Sequence, residues 1–234
     1  MYKIEWVGTK NFWKGRDGKK IIAIVNHITA GLYPGCLGWL KNPTSKASAN
    51  YLVLKDGSIL QLVKDEDSAW ANGKVNKPNW KYYDGTNPNR YTLSIEHEAL
   101  QGEGLTEQQY RATLYLHHYL VIKHDIPIDE DHIIGHYRID SVDRINCPGS
   151  KFPWKELFKD LKKDYLFHWA EKYIDKSIAH GFISGYQDGT FKPDNPLLRG
   201  EYARILSFVI DKIIYFNYRI NELENRIKEF EGRG

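Results

Sequence analysis

A chain of 234 residues accommodates one large domain, or a medium domain with a small companion. Its 41% hydrophobic and 27% charged residues are those of a globular protein, and a formal charge of +3 with no Arg/Lys cluster argues against nucleic acid as a partner. Two cysteines exclude a disulfide framework, no run approaches the ~18 apolar residues of a membrane span, and the opening "MYKIEWVGTKNFWKG" lacks the apolar core of a signal peptide.

The first element is "KKIIAIVNHITA" (19–30), whose short β-branched run predicts a buried strand ending at His27. "SANYLVLKDGSILQLV" (48–63) places two apolar runs around an Asp-Gly turn and predicts a hairpin. "SAWANGKVNKPNWKYYDGTNPNR" (68–90) is polar, aromatic and rich in Gly, Asn and Pro, a loop long enough to be functional. "YTLSIEHEAL" (91–100) alternates with period two, so Ser94, Glu96 and Glu98 share one face and Leu93, Ile95 and His97 the other. "TEQQYRATLYLHHYLVIKHD" (106–125) opens on a capping-box pattern, Thr106 with Gln109, and continues as a helix. A short strand in "IPIDEDHIIGH" then leads to His136. Strands and helices thus mix up to about residue 160, which predicts an α/β domain around one mixed sheet flanked by helices.

Composition shifts after "KFPWKELFKDLKKD". Residues 167–210 read as a helix, a Gly/Asp turn, a "TFKPDNP" loop and a second helix, a small all-α module. From Gly200 no Gly or Pro appears before Gly232, so the last helix is long. The expected boundaries are 1–163, 164–212 and 213–234.

Chemistry concentrates in "GHYRIDSVDRINCPG" (135–149), where His136 precedes Cys147 and its Pro-Gly turn. With His27 at a strand end, two imidazoles and a thiolate suit Zn²⁺ and leave a fourth position for water. The competing reading is a buried Cys acting as a small hydrophobe. Cys36, in the Gly/Pro-rich "YPGCLGW", reads as a free structural thiol.

"IVNHITAG", "SANYLVLKDGSILQLV", "SIEHEAL" and "IIGHYRID…NCPG", in that order, resemble the type 2, zinc-dependent N-acetylmuramoyl-L-alanine amidases, a fold shared by phage endolysins and peptidoglycan-recognition proteins. The resemblance implies one zinc held by His27, His136 and Cys147. It implies Glu96 as the catalytic carboxylate, with Glu98 in reserve, and peptidoglycan as substrate, cut between muramic acid and L-alanine. Where the family commonly has a Lys two residues before the last ligand, this chain has Ile145, which leaves Arg144 to supply positive charge. Asn50, where several relatives carry a His, and Trp70, Asn72 and Trp80 of the long loop are the expected groove-lining residues. A bacteriolytic endolysin, made in the host cytoplasm and released through a holin-type pore, is the leading expectation. A non-catalytic peptidoglycan-binding protein and a Cys/His cysteine peptidase are the alternatives.

"WAEKYIDKSIAHGFISGYQDGTFKPDNPLLRGEYARIL" resembles a single S-layer homology repeat, a module that anchors proteins to secondary cell-wall polysaccharide. Gly185 and Asp188 would shape its turn and Arg199 would meet an anionic sugar substituent, although Leu198 and Gly200 depart from the usual Thr and Ala. The final helix carries a heptad: Ile213, Ile220 and Ile227 at a, Phe216, Leu223 and Phe230 at d, Arg219, Arg226 and Arg233 at g, and Asn217, Glu224 and Glu231 at e. Arg at g against Glu at the following e predicts a parallel coiled-coil homo-oligomer, its number of chains left open.

Overall fold

The computed structural model describes residues 2–231; nothing is described of the side chains of Glu229 and Glu231. Arg233, part of the expected heptad, lies outside the described residues. The chain divides into two compact units, one up to Lys162 and one from Lys163.

The first unit contains β1 (Ile4–Trp6), β2 (Phe12–Trp13), β3 (Ala23–Ile28), α1 (Gly35–Lys41), β4 (Tyr51–Val53), β5 (Ile59–Gln61), β6 (Ser68–Ala69), β7 (Thr92–His97), α2 (Glu107–His124), β8 (Ile133–Gly135) and α3 (Trp154–Leu161). Six strands form one sheet in the order β1-β5-β4-β7-β3-β8, and β2 pairs with β6 apart from it. Only the β4–β5 hairpin is antiparallel; the other four pairings are parallel, so the sheet is mixed as the sequence predicts. Central strands need apolar side chains on both faces. Ile24, Val25, Leu52, Leu93, Ile95 and Ile133 supply them and are all buried.

Local signals act as expected, with one departure. Gly57 closes the Asp-Gly turn at φ +88°, and Leu54 N–H donates to Ser58 O at 2.9 Å. The Thr106 hydroxyl accepts from Gln109 N–H at 3.1 Å, half of a capping box. The Gln109 side chain does not return to Thr106; its amide donates to Val53 O and Glu98 O, both at 3.0 Å. Buried strand-end carbonyls without partners cost more than an unmade reciprocal cap, so the tertiary contacts win.

A buried carboxylate joins α2 to the hairpin. Asp65 accepts from Tyr51 Oη at 2.5 Å and from Lys123 Nζ and His124 Nε2 at 2.8 Å. Burial alone would raise the Asp65 carboxyl, but the bonds from Lys123, Tyr51 and His124 outweigh it and hold it below the usual carboxylate range.

The second unit contains α4 (Glu171–Ala179) and α5 (Arg199–Glu231). Between them a tight turn brings Tyr186 N–H to Thr190 O at 2.7 Å. A Cβ on Gly185 would stand 2.7 Å from that same Thr190 oxygen, which is why the position is glycine. Asp188 accepts from Thr190 N–H and Oγ1 and faces Lys192 Nζ at 2.9 Å. Gly185 and Asp188 therefore shape the turn, as the sequence predicts. Arg199 is exposed at the start of α5.

The Asp65 junction generates a prediction with a definite pH sign. A carboxyl held low in the folded state stabilises it above the unfolded pKa of ~3.9, and that contribution is lost as pH falls through the folded value. Asp65→Asn is expected to lower stability by about 1–3 kcal/mol at pH 7. Urea unfolding should show that gap narrowing below pH ~4; an equal gap at neutral and acid pH would refute the ionised network.

Candidate metal centre

The parallel register builds the site. His27 on β3 is the direct partner of Glu96 on β7, and Asn26 pairs with Gly135, the last residue of β8 before His136. Side chains of directly paired residues leave the same face of a sheet. His27, Glu96 and His136 thus stand in a row across three parallel strands, at their carboxyl ends, where α/β sheets form crevices. Cys147 arrives by a loop folded back on the row, with Tyr137 N–H donating to Cys147 O at 3.2 Å and Cys147 N–H donating to Arg144 O at 2.9 Å. One nitrogen each of His27 and His136 and the Cys147 sulfur lie within 4.8 Å of one another, the one such His/Cys/Asp/Glu group among the described residues.

Hydrogen bonding orients the imidazoles. His136 Nε2 lies 3.0 Å from the carbonyl oxygen of Asn72, which only accepts, so the ring proton sits on Nε2. The bare Nδ1 then faces Nδ1 of His27 at 3.0 Å. Burial, reinforced by the neighbouring His136, lowers the His27 pKa well below its usual value, and burial also lowers that of His136. Both rings are therefore neutral at physiological pH, the state a metal requires. Burial pushes the Cys147 thiol up to about 12, with Glu96 adding to the rise. Only a strong local cation would make it a thiolate. Converging neutral imidazoles and a half-buried thiol, one imidazole fixed by a backbone carbonyl, fit Zn²⁺ by donor chemistry and by outer-shell support.

The strand alternation leaves two carboxylates near this row, and the structure separates them. Glu98 is consumed: its oxygens accept from Tyr33 N–H at 2.9 Å and Lys55 N–H at 2.8 Å. Glu96 lines the opening, and one of its oxygens is buried without a partner. Burial raises its pKa to about 7, while the Arg144 charge works in the opposite direction. Arg144 is exposed on the same groove.

The groove holds about 620 Å³ and is lined by His27, Glu96, His136, Arg144 and Cys147 with Leu32, Trp39, Gln101 and Asn146. Of the expected aromatic loop only Ala71 lines it. Trp80 is buried, stacked on Tyr91 at 5.5 Å with Nε1 donating to Asp131 O. Asn72 is buried, its side-chain amide donating to Thr92 Oγ1 and its carbonyl serving His136. Asn50 is buried and bonded to Ser94 N–H. Trp70 packs against Trp13 at 5.5 Å. None of these four side chains lines the groove, and only Asn72 bonds a member of the row. The lining comes from "TAGLYPGCLGW" after β3, which includes Cys36; following a strand into the crevice at its carboxyl end was the signal for it.

Two buried imidazoles, a thiol and a neighbouring carboxylate at the carboxyl end of a mixed sheet make a candidate metallohydrolase centre. The model of the N-acetylmuramoyl-L-alanine amidase family matches residues 17–150, more than half of the chain, and the chain belongs to that family. An S-layer homology domain matches residues 157–203. Over 78 residues the chain is 35% identical to N-acetylmuramoyl-L-alanine amidase A of Achromobacter lyticus, covering 33% of this chain and 37% of that protein. Over 49 residues it is 41% identical to cell surface glycoprotein 1 of Acetivibrio thermocellus, covering 21% of this chain and 2% of that one. The chain thus spans little more than a third of the first relative and a small fraction of the second. A crystal structure of an AmpD derivative shares the fold, with a TM-score of 0.52 at 22% identity over 69% of this chain and 95% of that one.

Cys147→Ala is expected to abolish stoichiometric metal binding and Cys36→Ala to retain it, as read by elemental analysis of purified protein. Gly135→Ala tests the frame: a Cβ there would meet the Tyr137 ring at 2.4 Å and Pro148 Cδ at 2.8 Å, between the two ligand segments. It should weaken metal retention on the order of tenfold or more, as outer-shell changes do.

Proposed function

We propose that this chain is a zinc-dependent peptidoglycan hydrolase that cleaves the amide between N-acetylmuramic acid and the L-alanine of the stem peptide. The observation that carries the reading is the convergence of His27, His136 and Cys147 beside an uncommitted Glu96. His27, His136 and Cys147 would hold one zinc, which when bound lowers the pKa of water and polarises a carbonyl. Glu96 Oε2, unpartnered and beside the ligands, takes the proton of the attacking water and delivers it to the leaving nitrogen of L-alanine. Arg144 reaches over the groove toward the charge that develops on the scissile carbonyl oxygen. Neutral imidazoles leave a bare ring nitrogen on His27 and on His136 at the pH where Glu96 works. The S-layer homology domain would hold the enzyme at the wall through secondary polysaccharide, with Arg199 at its exposed surface.

A cysteine-peptidase reading fares worse on physical grounds. A nucleophilic thiol needs a depressed pKa, and burial raises both Cys147 and Cys36. A purely binding role gives no reason for a raised carboxyl beside three converging ligands. The wall is the proposed place of action, with lytic release of the host as its purpose. Among the described residues no helix is long and apolar enough to cross a membrane.

Mass spectrometry of fragments from purified walls tests the reaction: new free L-alanine amino termini should appear, and EDTA should abolish them until zinc is restored. Activity that survives chelation would refute it. Glu96→Gln should retain metal and lose on the order of 10²–10⁴-fold in rate. Arg144 stabilises the Glu96 carboxylate, so the acid limb of kcat/KM should move to higher pH in Arg144→Ala, with kcat falling more than KM rises. An unmoved limb would remove Arg144 from the site.

Separation of labour has its own check. A chain ending at residue 163 should still cut soluble muramoyl-peptides while binding intact walls less than the full chain does. Equal wall binding by the two would refute anchoring by the second unit.

A further inference from the structure

The second half of α5 has an apolar edge that its own unit leaves in water. Between Arg219 and Glu231 the only apolar residues are Ile220, Leu223, Ile227 and Phe230. Their exposures are 52%, 46%, 55% and 72%, against near zero for core residues of the same types. Intervals of three, four and three along a helix place them on one narrow edge. Extended back through Phe216 and Ile213, 59% and 53% exposed, the edge spans three heptads with every a and d position apolar.

An isolated helical segment of this length is marginal in water, and tertiary burial of an apolar face normally sustains such elements. Something must cover the edge, and its neighbours say what. Arg219 occupies g and Glu224 the following e. In a parallel pair, g of one helix meets the next e of the other, bringing Arg219 to Glu224 across both sides of the seam. In an antiparallel pair g meets g and e meets e, and the same residues would repel. Arg219 is held by Glu222 of its own helix at 2.6 Å, a half-exposed contact that leaves other guanidinium donors for an interhelical partner.

We propose that a second copy of this chain covers the edge, through a parallel two-stranded coiled coil over residues 213–231. Two strands follow from the width of the seam. From residue 219 the e and g positions are charged, leaving a and d alone to be buried, and Ile220 and Ile227 at a around Leu223 at d follow the pattern of two-stranded pairing. The consequence is that two amidase units are tethered together at one wall site. Binding two linked S-layer homology modules to a polymer turns the second contact into an intramolecular one, so retention on the wall exceeds that of either module. The pairing stands independently of the proposed catalytic reading.

Sedimentation equilibrium of the full-length protein under reducing conditions at micromolar concentration should give the mass of two chains. Ile220→Asp/Ile227→Asp should give the mass of one while metal binding and cleavage of soluble muramoyl-peptides persist. Leu223→Cys should form an interchain disulfide on mild oxidation, because d faces d only in a parallel pair, whereas the parent chain under the same treatment should not. Glu224→Arg alone should weaken association, and adding Arg219→Glu should restore it. A single-chain mass for the parent overturns the proposal. So does a two-chain mass unaffected by the Ile substitutions, or a two-chain form of the Leu223→Cys variant that fails to cross-link.

Discussion

The parallel register of β7, β3 and β8 is the constraint on which the rest of the site depends. It sets His27 directly beside Glu96 and brings His136 off the end of the adjacent strand. Shifting either pairing by one residue would send one of these side chains to the opposite face. The register is held by apolar residues buried on both sides, among them Ile24, Val25, Leu93 and Ile95. Core packing and site geometry are therefore one requirement: a sequence that buries these residues has already placed two imidazoles and a carboxylate together.

The second layer of the design is polar and buried. Asn72 is fully buried, yet its carbonyl decides which nitrogen of His136 stays bare. His97, on the opposite face of β7, hydrogen bonds to the carbonyl of His27 at 2.9 Å and fixes that strand end from behind. Glu98 spends its charge on two loop N–H groups, which holds the rim that Tyr33 begins. Each interaction removes a freedom from the candidate site.

The second unit works by other means. Its loop is shaped by Gly185 and Asp188 for close backbone approach, whereas its long helix leaves apolar side chains outward. A unit closed on its own core is thus joined to a unit that leaves Arg199 and the apolar edge of α5 exposed.

The sequence by itself determined the elements and the chemically distinctive residues. A β-branched run marked β3, apolar runs around an Asp-Gly turn marked β4 and β5, period-two alternation marked β7, Thr106 marked the start of α2, and the scarcity of Cys singled out Cys147. These are local signals, carried by neighbours a few residues apart. Tertiary structure alone decided which of two carboxylates stays available, because the groups that consume Glu98 lie 65 and 43 residues away in sequence. It also decided that Trp80, Asn72 and Asn50 face inward. A polar, aromatic loop reads as a groove wall in sequence. Here the exposed face of β3 had to be covered, and Trp80 and Tyr91 pack with Ala23 and Val25 to cover it. Burial is a property of the whole chain's packing, and no window of neighbouring residues contains it.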